Sequence, residues 1–424
     1  MKKVDVLFIH PRNCYNNYLM LPSLELCMMS SILNERGFSN YLIDCMINNI
    51  DSIQLYNHIK EFSPKIICIE GTAINHIEAI KAAQLAKKEF PKSIVCIRGE
   101  VASFIPEKIL NKHSCIDIVL RMENDFTLVH LLTYLNNENE IDSIPNISYR
   151  FDENVVNNPL VTEVSDLNIL PTHNRELYDL KKYYNRDSET IVRSSRGCPS
   201  NCAFCVRTKL SKFRLFNIDR FCDEIEFLLK KGFKSFFFSD DTFAFSQRRI
   251  DDFLDEVKKR KLDIRFTSNL RIRDISESRI LSLKEAGAYR VFVGIETINS
   301  SSSEKIKKNL SREFIEEKIA ILKKHKLEYH ASFILGSPGD TEEDLIETIK
   351  FVKKIQPTLV TFNQLRLFPG TPIYEDPEKY EIIYEDKDWF ENEEWISRPL
   401  IGTKQIPPSK MDYWSRRMLY EFIN

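Results

Sequence analysis

Glycine is scarce in this chain of 424 residues, which holds 11 in all. That scarcity works against nucleotide sites built from glycine loops. Neither G-x-G-x-x-G nor a phosphate-binding lysine loop follows any expected strand, so NAD and ATP readings are weak. Excess charge is missing too: 60 Lys and Arg face 62 Asp and Glu, a formal net charge of −2. Such a chain has no global electrostatic reason to coat nucleic acid or an anionic membrane, and no nucleic-acid partner is expected. No apolar run approaches the roughly 18 residues of a spanning helix, so no membrane span is expected. The opening Met1-Lys2-Lys3-Val4-Asp5 puts an acid where a signal peptide continues its apolar stretch. A cytoplasmic protein is the expectation.

What is present is ordinary globular composition, 43% hydrophobic and 29% charged, which argues against disorder. The length calls for two or three domains. Apolar runs at residues 4–9, 41–44, 65–70, 94–98 and 116–121 read as strands buried on both faces. Helical stretches lie between them, with Gly37 closing the first and Asn75 a candidate N-cap for the third. This alternation predicts a doubly wound, flavodoxin- or Rossmann-like parallel sheet over residues 1–150. Ligands of such sheets gather beyond the strand carboxyl ends, here at His10-Pro11-Arg12, Gly71-Thr72-Ala73, Gly99-Glu100-Val101 and Glu123-Asn124. Asn, Asp and Pro clusters over residues 151–187 read as a linker.

Ten cysteines divide unevenly. Cys14, Cys27, Cys45, Cys68, Cys96 and Cys115 are scattered through the first domain, mostly in apolar runs, as small buried hydrophobes of a reducing compartment would be. Cys198, Cys202 and Cys205 crowd together as C-x3-C-x2-C. One face of a helix would also align them, but Gly197, Pro199 and Ser200-Asn201 are loop and turn residues. A structural zinc site closes with four ligands, and no Cys or His lies close enough in sequence to complete one. Three thiolates in a loop suit a 4Fe–4S cluster that leaves one iron open.

With its aromatic before the last cysteine, this motif resembles that of the radical S-adenosylmethionine superfamily. The resemblance implies that Cys198, Cys202 and Cys205 hold the cluster and that S-adenosylmethionine chelates the open iron. Reductive cleavage then yields a 5′-deoxyadenosyl radical. Expected strands at 191–195, 234–239, 263–267, 290–294, 328–335 and 358–362 alternate with helices, giving a partial (β/α)6 TIM barrel over residues 188–372. Barrel active sites collect at strand carboxyl ends. F-F-F-S-D-D-T-F, G-I-E-T, L-G-S-P-G-D-T-E-E-D and F-P-G-T-P resemble landmarks of the branch containing cobalamin-dependent enzymes and methylthiotransferases. Carried over by position, Arg271 and Glu296 would contact S-adenosylmethionine. Asp240 and Asp241 would line the same pocket, and Asn269 and Gly336 complete the expected set. Residues 373–424, with all three tryptophans, read as a small C-terminal cap or extension.

A sheet domain ahead of a radical barrel is similar to the class B arrangement, whose first domain binds cobalamin; the likeness covers about residues 1–375. It implies cobalamin contacts at Thr72, Gly99 and Glu100. The family usually lacks a D-x-H-x-x-G cobalt-ligating motif, as this chain does. Two departures stand out: Arg98-Gly99-Glu100 replaces a Gly-Gly turn, and Arg121-Met122-Glu123-Asn124-Asp125 replaces a glycine–acid repeat. The leading expectation is a cobalamin-dependent methyltransferase acting on an unactivated carbon of a small-molecule or peptide substrate, reduced by a partner such as flavodoxin. The alternative is a cobalamin-free radical dehydratase, epimerase or rearrangement enzyme with a vestigial first domain. A non-catalytic iron–sulfur electron carrier is the remote third.

Overall fold

The computed structural model describes residues 1–13, 20–162, 164–187 and 189–423. Cys14 falls outside them. The chain divides into two compact units, Met1–Thr190 and Ile191–Asn424.

In the first unit, β1 (Lys2–His10), β2 (Asn40–Asp44), β3 (Phe62–Glu70), β4 (Ile94–Arg98) and β5 (Ile118–Leu120) pair in parallel. Then β6 (Ile147–Phe151) and β7 (Asn154–Asn157) extend the sheet antiparallel, giving the order β2-β1-β3-β4-β5-β6-β7. Val6, Leu7, Phe8 and Ile9 are wholly buried, as strands covered on both faces require. The hairpin β6–β7 lies in a stretch whose periodicity reads as fading into a connection. Its turn is the dipeptide Asp152-Glu153, with Asp152 at φ +51°, a conformation that Asp tolerates. Gly37 ends the helix Leu24–Glu35 at φ +77°, as expected. Asn75 does not cap its helix. Its backbone (φ −128°, ψ 13°) has left the extended region an N-cap needs, and its carboxamide oxygen accepts from the Thr72 N–H (2.6 Å) and hydroxyl (3.0 Å).

The second unit begins with β8 (Glu189–Val192), β9 (Ser195–Arg196) and β10 (Arg214–Leu215), followed by β11 (Ser235–Phe238), β12 (Arg265–Arg271), β13 (Ala288–Glu296), β14 (Glu328–Leu335) and β15 (Leu359–Gln364). Six of these form a curled half-barrel in the order β15-β14-β13-β12-β11-β8. Strand β12 runs further than its sequence suggests, because Thr267-Ser268-Asn269 conceals strand behind polar residues. Asn269 and Arg271 are therefore strand residues, facing inward at alternate positions. Outside the barrel, Phe238 stacks on Phe266 (centroids 4.1 Å apart, planes 4° apart), with Phe221, Phe243 and Phe253 packed around them. Such pairs add about 0.5–1.5 kcal/mol beyond their burial. A short hairpin follows, β16 (Ile382–Tyr384) with β17 (Ile401–Thr403), and then the terminal helix Pro408–Ile423. Trp414 donates to Glu342 (3.0 Å) and Trp389 to the Leu367 carbonyl (2.7 Å), which ties the tail to the barrel. No described helix is long and apolar enough to cross a membrane.

Phe238→Ala should cost about 3–5 kcal/mol, because it empties the centre of a closed aromatic layer. Thermal unfolding checks this: a drop of under about 2 °C would mean that the layer collapses into the gap.

Candidate active site

At the carboxyl ends of the barrel strands lies a cavity of about 580 Å³, and Cys198, Cys202 and Cys205 all line it. The loop that carries them is pinned by its backbone. Ala203 donates to the Ile306 carbonyl (3.0 Å), Ile373 donates to the Ala203 carbonyl (3.3 Å), and the Thr208 hydroxyl donates to the Cys205 carbonyl (3.0 Å). Burial pushes the Cys205 thiol up to about 11 and raises Cys202 as well, so neither ionises at neutral pH without a metal to displace its proton. No three His, Cys, Asp or Glu groups among the described residues are gathered closely enough to grip a single ion. The thiols instead stand around one wall of a wide cavity, a donor set that suits a polynuclear iron–sulfur group.

Beside the thiols, Arg271 forms a bidentate pair with Asp274 (2.6 and 2.8 Å) and reaches the Ser200 hydroxyl (3.2 Å), coupling β12 to the cysteine loop. The Asp274 hydrogen bonds raise the Arg271 pKa further. Glu296 ends β13 at φ +72°, where the register with β14 shifts, a strained backbone for a residue with a side chain. It folds back over Gly294; a Cβ there would lie 2.3 Å from its carboxylate oxygen. Lys308 bonds to Glu296 (3.2 Å) and to the Gly294 carbonyl (3.0 Å). Burial works to lower its pKa, but Glu296 and the thiols of Cys202 and Cys205 outweigh that and raise it.

The other expected residues part company. Asp241 and Asn269 line the cavity, and Asn269 also donates to the Asp240 carbonyl (3.0 Å). Asp240 is turned away. Its carboxylate is wholly buried and accepts from the Ser194 N–H (3.1 Å) and hydroxyl (2.8 Å) and from Ser195, closing the β8 end of the barrel. Gly336, expected at the cofactor, instead makes room for the tail: a Cβ there would lie 2.0 Å from the Met411 methyl.

In the first unit, Thr72, Gly99 and Glu100 occupy neighbouring strand-end turns, each half-buried. Glu100 accepts from the Ala73 N–H (2.9 Å). A Cβ on Gly99, at φ +130°, would lie 2.1 Å from the Gly71 carbonyl oxygen. Arg98, which begins the departure from a Gly-Gly turn, folds down onto Glu70, which also accepts from Ser23 (2.8 Å). His10 contacts Glu70 (3.6 Å) and the Tyr178 hydroxyl (3.1 Å), and Tyr183 donates to Asp44 (2.7 Å). Both arginine and glutamate are thus satisfied within the unit, and neither extends over its crest.

Residues 192–352 match the model of the radical S-adenosylmethionine superfamily. Those residues therefore carry a radical S-adenosylmethionine domain. An uncharacterised methyltransferase of Pyrococcus horikoshii is 29% identical over 84% of this chain and 78% of its own. An anaerobic magnesium-protoporphyrin IX monomethyl ester cyclase of Rubrivivax gelatinosus is 24% identical over 88% and 69%. The structure of TsrM, a radical S-adenosylmethionine methyltransferase from Kitasatospora setae with cobalamin and a 4Fe–4S cluster bound, superposes with TM-score 0.77 at 17% identity. That match covers 91% of this chain and 81% of TsrM, a likeness of fold.

Sequence reasoning missed Lys308. In Lys305-Ile306-Lys307-Lys308-Asn309 it reads as one more solvated lysine after a helix, and only the fold turns it inward. It also missed His330, which lines the cavity floor and packs against Phe292 (5.0 Å). Thr341 caps the helix Glu342–Ile355, with Asp344 completing a capping box. Just before it, Asp340 is 2% exposed, and burial raises its pKa to about 7 despite a hydrogen bond from Thr297 (2.9 Å). A carboxyl raised in the fold binds its proton more tightly there than when unfolded, so the protein loses stability as pH rises from about 4 to about 7. Asp340→Asn removes that loss. The melting temperature of the variant relative to the parent should therefore climb between pH 5 and pH 8, by about 2–4 °C per kcal/mol recovered. A pH-independent difference would contradict the assignment.

Proposed function

We propose that this enzyme is a cobalamin-dependent methyltransferase acting on an unactivated carbon of a small-molecule or peptide substrate. The observation that carries the reading is the convergence of three thiols with Arg271, Glu296, Lys308 and Asn269 on one cavity at the barrel rim. Cys198, Cys202 and Cys205 would hold the 4Fe–4S cluster, and Thr72, Gly99 and Glu100 would meet cobalamin at the crest of the first sheet. When bound, these groups and S-adenosylmethionine supply an electron, a 5′-deoxyadenosyl radical and a transferable methyl group. The chain supplies the rest. Lys308 and Arg271 offer cationic donors to the carboxylate of S-adenosylmethionine. Glu296 and Asn269 offer a carboxylate and an amide to its amino and hydroxyl groups, and the cavity wall excludes water. The methyltransferase of Pyrococcus horikoshii and the fold of TsrM both support methyl transfer.

Radical chemistry without methyl transfer is the second reading. One observation favours it: the relative named as a cyclase.

Anaerobic reconstitution with iron, sulfide and hydroxocobalamin decides between them. The expected result is about one corrinoid per chain after desalting, with 5′-deoxyadenosine formed under reduction. An intact cluster with no corrinoid would overturn the methyltransferase reading in favour of the second. Cys198→Ala, Cys202→Ala and Cys205→Ala should each abolish the cluster's visible absorbance and reduce 5′-deoxyadenosine to background. Retention of either signal in all three would sink the cluster assignment.

A further inference from the structure

The inward residues of β12 to β15 fall into rows, because register partners on parallel strands face the same way. The row at the rim runs Arg271, Gly294, Ser332, Thr361, and the row two residues deeper runs Asn269, Phe292, His330, Leu359. Ser332, Thr361, Phe292 and His330 all line the cavity. Two hydroxyls thus stand side by side at its rim, and the row below them holds the Phe292 and His330 rings in contact (5.0 Å).

Their hydrogen-bond partners settle what these hydroxyls can offer. His330 has one ring nitrogen, Nε2, 3.2 Å from the Thr361 hydroxyl. The other, Nδ1, is buried and meets no partner among the described residues. A hydrogen on Nδ1 would be an orphaned buried donor, which costs more than an idle lone pair, so the ring hydrogen belongs on Nε2. Burial, and then Arg290, lower the His330 pKa and keep the ring neutral in that form. Nε2 therefore donates to Thr361. Asn363 donates to Ser332 (2.9 Å) and, at longer range, to Thr361 (3.4 Å). Both hydroxyl oxygens already accept, and neither O–H hydrogen is spent on another described residue. What remains is a pair of O–H donors on the cavity wall.

The charge of the cavity narrows the acceptor they await. Five of its lining side chains are cationic and two, Asp241 and Glu296, are acidic. A carboxylate gains from that surplus, and hydrogen bonds to an ionised oxygen are shorter and stronger than neutral ones. We propose that the Ser332 and Thr361 hydroxyls receive a carboxylate of the substrate, one oxygen each, with His330 setting Thr361 as a donor. The substrate class is then a small carboxylic acid, and Phe292 in the row below suits its ring or apolar portion. The proposal deepens the radical S-adenosylmethionine reading of the site and rests on it. The carboxylate of S-adenosylmethionine itself is answered elsewhere, by Lys308 and Arg271. His330 acts through Thr361 and is a positioning residue.

The test uses benzoate as the probe, with benzamide and benzyl alcohol for comparison. Each is titrated by saturation-transfer NMR into the anaerobically reconstituted enzyme with saturating S-adenosylmethionine, which fills its own carboxylate site. The parent should bind benzoate about tenfold more tightly than either neutral probe. Ser332→Ala and Thr361→Val should each weaken benzoate about tenfold, and Thr361→Ser, which keeps the hydroxyl, should restore it. His330→Phe should weaken benzoate and leave benzyl alcohol unchanged. The change that S-adenosylmethionine makes in the EPR signal of the reduced cluster should be the same in all of them. No benzoate binding by the parent, equal affinity for the three probes, or parent-like affinity in both Ser332→Ala and Thr361→Val would overturn the proposal. Loss of the EPR change in those two variants would also overturn it, because the hydroxyls would then serve the cofactor. If S-adenosylmethionine leaves even the parent's signal unaltered, the reading of the site itself fails, and the proposal with it.

Discussion

An ammonium group taken out of water has to be answered by negative charge, and the rim of the barrel is arranged around that requirement at Lys308. Its neighbours are a carboxylate and a strand-end carbonyl. Glu296 reaches it only because its backbone accepts a left-handed conformation at a register shift, and because Gly294 leaves space beneath it. The strain at Glu296 and the bareness of Gly294 are two sides of one local solution. Removing either partner would leave the other buried without compensation, which is far costlier than losing both.

Two strands of the half-barrel handle polar burial differently. At β8, Asp240 is consumed by serine hydroxyls and backbone and joins strands. At β12, Arg271 is held rigid by Asp274, yet keeps one nitrogen on the cysteine loop. Adjacent carboxylates in the sequence, Asp240 and Asp241, therefore acquire opposite fates. Successive residues at a strand end point to opposite sides, and only one side is the cavity.

That contrast marks how much of the molecule was legible in advance. Continuous apolar runs revealed the parallel strands, and the cysteine spacing revealed the cluster loop, because each signal is local. Strand β7 escaped because it is a short, exposed to half-buried edge strand of four residues. The full reach of β12 escaped because its inward residues are polar for the sake of the cavity. Lys308 and the Glu70–Arg98–His10 network escaped for a deeper reason: each depends on partners distant in sequence. Gly336 was noticed for a role at the cofactor, yet the structure uses its bareness to seat Met411.

A half-barrel is an unfinished sheet, and β15 has a strand partner on one side only. The helix Pro408–Ile423 packs beside it, anchored through Met411, Trp414 and Lys410. The unpaired backbone groups of such an edge are a template for strand addition by another chain. The tail thus shields an open edge, and a chain shortened before residue 408 would be driven to self-associate before its chemistry could be measured.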